Sequence, residues 1–130
     1  MQACFHNAAF LAQGVPVFDI ACDHGATDML VSDNDKGVAL AECLSDKPVA
    51  LMRAHGSVAC GPSLEVAVFR AIYTEVSARV QHWALALAED GEELATLSKE
   101  EGVLADVPNQ TAGLRAWDLW RTEIREQAGW

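Results

Sequence analysis

The strongest constraint on this chain is a helical stripe that begins just after Gly61-Pro62-Ser63. Leu64, Val68, Ile72, Val76, Val80, Trp83 and Leu87 recur at intervals of four and three, the period that places side chains on one face of an α-helix. Ser63 suits the N-cap, and Glu65 lies where the positive end of the helix dipole favours a carboxylate. A helix over 64–89 runs roughly 39 Å, and Glu75 and Arg79 can pair along its flank. Such a helix must bury one face against another layer, and the preceding segment supplies it. Val49 to Met52 reads as a strand, Arg53-Ala54-His55-Gly56 interrupts it, and Ser57 to Cys60 resumes an extended pattern. Strand, turn, strand and long amphipathic helix together are an α/β layer pattern.

Upstream, His6 to Ala12 is expected to form a short helix stopped by Gly14. Val15 to Ile20 is expected to be a short strand, with Pro16 favouring an edge or a strand start. Asp33 or Asp35 can cap a helix reaching about Leu44, its apolar side supplied by Val38, Leu40, Ala41 and Leu44. Downstream, Ser98 and Glu101 have capping-box spacing, and Gly102 is expected to keep that helix short. Thr111 can start a final helix with Leu114, Trp117, Trp120 and Ile124 on one face; these aromatics and Trp130 read as core packing or a subunit contact. The chain opens abruptly in apolar material, which suggests preceding sequence that is absent.

At 130 residues and 51% hydrophobic composition, the chain suits one compact domain rather than disorder. A formal charge of -10 with no basic stripe repels a nucleic-acid backbone and offers no polybasic membrane anchor. No stretch approaches the roughly 20 apolar residues needed to cross a bilayer. Cys4, Cys22, Cys43 and Cys60 lack paired metal-ligand spacing and read as thiols in a reducing compartment. The expected location is the cytoplasm.

Chemistry is concentrated in few places. His6, His24, His55 and His82 belong to no HxH, HExxH or CxxC arrangement, and phosphate-binding glycine loops and the GxSxG elbow are absent. His55 is the foremost candidate, because it follows an apolar strand and precedes Gly56, whose freedom permits a sharp turn that presents the imidazole to a cleft or subunit boundary. His82, at the edge of the helical stripe, reads as a structural or interface histidine, and His24 as part of a solvated loop.

The phrase PVALMRAHGSVACGPSLEVAVFRAIYTEVSARVQ at 48–81 resembles the class II aldolase/adducin family, as do FHNAAFLAQGVPVFD at 5–19 and TDMLVSDNDKGVALAECL at 27–44. The resemblance implies an α/β, incomplete aldolase/adducin-like three-layer domain with a mainly antiparallel sheet and a long helix on the C-terminal side. It places the chain as the C-terminal portion of such a protein, a single partial domain over 1–130 with a helical tail at about 97–130. It also implies that His55 is one ligand of a divalent metal, commonly zinc with manganese as the alternative. The partner HxH pair and the acid–base glutamate are expected upstream of Met1. One imidazole is not a catalytic site, which normally takes three protein ligands and an open position.

The histidine matching His6 is implied to line the pocket as an acid or orienting group. Asn7 stands where sugar-phosphate aldolases of the family carry a catalytic tyrosine, so the phrasing is closer to decarboxylases or aldolases of small oxygenated or aromatic acids. The functional expectation is therefore a portion of a metal-dependent carbon–carbon lyase, inactive alone, that assembles as a homo-oligomer or with a complementing subunit. The alternative is a non-catalytic oligomerisation or interaction module with the same fold.

Overall fold

A computed structural model describes residues 1–89 and 92–129; Trp130 lies outside them. A 3-10 helix at His6–Gln13 leads into strand β1 (Val17–Phe18), helix α1 (Ile20–His24) and helix α2 (Asn34–Leu44). Strands β2 (Val49–Met52) and β3 (Gly56–Ala59) follow, then helices α3 (Leu64–Leu87) and α4 (Lys99–Ala128). The strands form one sheet in the order β1-β2-β3. β1 pairs with β2 in parallel, while β2 and β3 form the longer, antiparallel ladder from Val49 opposite Ala59 to Met52 opposite Gly56. With helices flanking this sheet and a long C-terminal helix, the chain has the layered architecture of a partial aldolase/adducin-like fold.

Local chemistry explains most boundaries. The Asp33 carboxylate accepts from the Lys36 N–H at 3.0 Å and starts α2. Ser63 accepts from the Val66 N–H and starts α3. Ser98 and Glu101 form a reciprocal capping box at the start of α4, with bonds of 3.1 and 2.8 Å. Each satisfies donors that a helix start leaves without an intrahelical partner.

Three expectations are corrected. The extended segment is confined to Val17–Phe18, because the Asp19 side chain accepts from the Ala21 N–H and turns the chain into α1. Gly102 does not end a helix: α4 runs unbroken past it, past Pro108 and past Thr111. The glycine is needed for packing, since a Cβ there would lie 2.4 Å from the Ala12 Cβ and 3.0 Å from the Ala9 carbonyl oxygen. Close approach of α4 to the 3-10 helix outweighs the weak helix propensity of glycine.

The third correction concerns α3. Its buried positions are Val66, Phe69, Thr74 and Ser77, whereas Leu64, Ile72, Trp83 and Leu87 of the apolar stripe are exposed. The core has gathered on the adjoining flank. Phe69 joins Ala3, Ala8, Phe10, Leu11 and Val49 in one cluster, and Gly113 lets α4 close on the Phe69 ring, 3.1 Å from where a Cβ would stand. The two buried hydroxyls are satisfied by backbone: Thr74 donates to the Arg70 carbonyl at 2.6 Å and Ser77 to the Gln2 carbonyl at 3.3 Å.

Candidate functional site

His55 stands in the turn between β2 and β3, and its N–H donates to the Met52 carbonyl at 3.0 Å. The turn uses two positive φ angles, +55° at Ala54 and +148° at Gly56; the second is a conformation that favours glycine. Arg53 anchors the turn to the sheet edge: its N–H donates to the Phe18 carbonyl at 2.9 Å and its Nε reaches Asp19 at 2.7 Å. The Arg53 hydrogen bond, followed by that from the Ala21 N–H, holds the Asp19 carboxyl below the usual aspartate range. The His55 ring is exposed, beside a crevice lined by Phe18, Ile20, Met29 and Met52 that has no room for a water molecule.

His6 opens the 3-10 helix and is also exposed. Its carbonyl accepts from the Asn109 carboxamide at 2.7 Å. With Asn7, Thr111 and Arg115 it lines a broad, open cleft of about 660 Å³ against the middle of α4. That cleft shares no lining residue with the His55 crevice, so the structure does not bring the two candidate histidines into one cleft. His24 ends α1 half-buried rather than in a solvated loop, its Nε2 buried and without a hydrogen-bond partner among the described residues. His82 lies exposed on α3.

The resemblance implies metal binding with His55 as one ligand of a site completed upstream, and zinc or other metal binding by this chain is not borne out. Among the described residues no three His, Cys, Asp or Glu side chains converge closely enough to hold an ion. Placement is the cause: the four histidines ride on the 3-10 helix, α1, the β2–β3 turn and α3, and Asp19, which reaches that turn, is already held by Arg53. Three or four convergent donors are what such a site requires, and the described residues do not supply them.

One polar arrangement had no local signal in the sequence. Arg70 on α3 donates to the Cys60 carbonyl at 2.8 Å and reaches Asp106 on α4 at 3.3 Å, with its guanidinium 5.9 Å from the centre of the Phe10 ring. It borders a cleft of about 350 Å³ with Lys47, Asp46 and Gln110. Its partners are far away in sequence, so only folding reveals it.

Residues 2–82 match the model of the class II aldolase and adducin N-terminal domain, and the chain belongs to that family. It is 32% identical to the decarboxylase tropJ of Talaromyces stipitatus, over 95% of this chain and 53% of that protein. It is 30% identical to a 3,4-dihydroxyphthalate decarboxylase of a Terrabacter species, over 91% of this chain and 44% of that protein. An Arthrobacter keyseri enzyme of the same name is 28% identical over 92% of the chain and 44% of its own length. The chain thus spans about half the length of the curated relatives it matches.

The match also corrects the assignment to a C-terminal portion. The matching model is that of the N-terminal domain, and it falls on the N-terminal side of this chain. The abrupt apolar opening that suggested absent preceding sequence is core material: Ala3, Ala8 and Leu11 are each 2% exposed or less. It carries no information about what precedes it. Among the described residues no helix is long and apolar enough to cross a membrane.

Proposed function

We propose that this chain acts as a non-catalytic association module with an aldolase-like fold, and that its partner is a second copy of itself. The observation that carries the reading is surface area. The chain exposes 8266 Å², whereas the scaling of surface with mass gives about 6,700 Å² for a compact monomer of its size. The surplus is about 1,600 Å², twice the roughly 800 Å² that each partner contributes to a standard protein interface.

Its chemistry is apolar. Among the described residues fourteen large hydrophobic side chains are exposed against seven buried, and eleven of the exposed ones lie on α3 and α4. Val103, Val107 and Leu114 share one face of α4, and Trp83, Leu85 and Leu87 crowd the end of α3. Surfaces of this extent favour association. Sedimentation and light scattering of the purified chain should give a dimer or larger species, and Val107→Glu with Leu114→Glu should shift it to monomer with the helical spectrum retained. A chain that stays monomeric at high micromolar concentration overturns the reading.

A second reading is favoured by the alignments, which run along nearly the whole chain to proteins named as decarboxylases. In it the chain is part of a carbon–carbon lyase. His55 supplies one imidazole ligand to a site completed by residues outside these 130, and His6 is an acid or orienting group. Release of carbon dioxide from 3,4-dihydroxyphthalate only when a complementing segment is added to the chain, and its loss in His55→Ala, would favour this reading over the first; no release in that mixture would favour the first.

A further inference from the structure

A third region of the molecule is separate from both histidine clefts. Where the first half of α3 meets the second half of α4, Ile72, Trp117, Trp120 and Ile124 line a cavity of about 400 Å³, with Arg121 and Arg125 at its border. It shares no lining residue with the clefts beside His6 and His55. Its wall is braced from behind: the Trp120 ring centre lies 6.4 Å from that of Tyr73, which packs 4.4 Å from Phe69 in the core. A volume in this range is that of small-molecule sites, which are mostly apolar with a few placed polar groups.

The two arginines distinguish this cavity from an ordinary apolar dent. Arg53, Arg70 and Arg79 each hold a carboxylate within 3.3 Å, whereas among the described residues Arg121 and Arg125 make no ion pair or side-chain hydrogen bond. Arg121 contributes to lowering the Glu65 carboxyl only behind the Ser63 hydrogen bond and other causes. In a chain with 19 acidic and nine basic residues, two cations that form no ion pair among the described residues, beside Trp117 and Trp120, mark a place for an external anion with an apolar body. The α3 wall spans one helical turn, Val68 to Ile72, and faces the α4 wall from Trp117 to Ala128.

We propose that this cavity binds a hydrophobic carboxylate, its hydrocarbon body against Trp117 and Trp120 and its carboxylate at Arg121 and Arg125. A planar guanidinium suits that head group because it can donate two parallel hydrogen bonds to it. This inference rests on the cavity and its arginines rather than on the association reading, although Ile72 and Ile124 belong to both surfaces.

The test titrates the full chain with 2-naphthoate and with its uncharged counterpart 2-naphthalenemethanol. Tryptophan fluorescence is followed in a Trp83→Phe background, and calorimetry reads stoichiometry. The expected result is one naphthoate per chain, bound at least ~10-fold tighter than the alcohol, the size of one charge-assisted contact. Arg121→Gln with Arg125→Gln should bring the two ligands to nearly equal affinity, Arg79→Gln should leave the preference intact, and the paired lysine variants should retain part of it. Equal affinity in the unmodified chain, or a preference that survives the double glutamine variant, overturns the proposal. So does naphthoate binding that disappears as the protein self-associates, because the cavity is then covered by a second copy.

Discussion

The Asn109 carboxamide donates to the His6 carbonyl at 2.7 Å and so ties the middle of α4 to the first residue of the 3-10 helix. Asn109 is 2% exposed, and the residue before it is Pro108, which lacks the N–H that would continue the helical ladder. Asn109→Ala should therefore destabilise the chain by about 0.5–1.5 kcal/mol, the net worth of a typical hydrogen bond. Urea unfolding checks this, and an unchanged midpoint would show that water replaces the amide without loss.

Two glycines in helices should respond to alanine with opposite signs. Gly102→Ala drives a Cβ to 2.4 Å from the Ala12 Cβ and should cost about 1–3 kcal/mol by overpacking, more than the roughly 1 kcal/mol gained in helix propensity. Gly37→Ala in α2 meets nothing within 4 Å and should stabilise by roughly 0.5–1 kcal/mol. Thermal melts of the two variants moving in the same direction would contradict the packing argument.

The Arg53–Asp19 pair has a pH signature. Because the folded-state carboxyl of Asp19 is held low, the pair's contribution to stability is fully present above the unfolded aspartate value of about 3.9. It is lost as pH falls through the lower folded value. Both side chains are partly exposed, so the contribution is small. Arg53→Gln should raise the Asp19 titration midpoint in carbon-detected NMR, and an unmoved midpoint would mean that the Ala21 N–H alone sets it.

Removing divalent ions should leave the chain unaffected. No three ligating side chains converge among the described residues, so treatment with a chelator should not change the melting temperature. A chelator-dependent fall that is restored by one equivalent of a divalent ion would reveal a site the geometry does not contain.

Much of the fold was legible along the chain because it depends on near neighbours. Asp33, Ser63 and the Ser98–Glu101 pair cap the helices they were expected to cap, since a cap needs only residues within one turn. The His-Gly turn between β2 and β3 is equally local. What failed to read through was choice among faces and distances. The apolar stripe of α3 gave its period but not its burial, because the packing of the 3-10 helix and α4 selected the flank carrying Phe69. Gly102 looked like a stop until Ala12 appeared across from it. Periodicity, capping and turn chemistry are written in sequence because they act over a few residues. Which helix face is covered, that His6 and His55 line separate clefts, and that Arg70 meets Asp106 were decided only when distant segments packed.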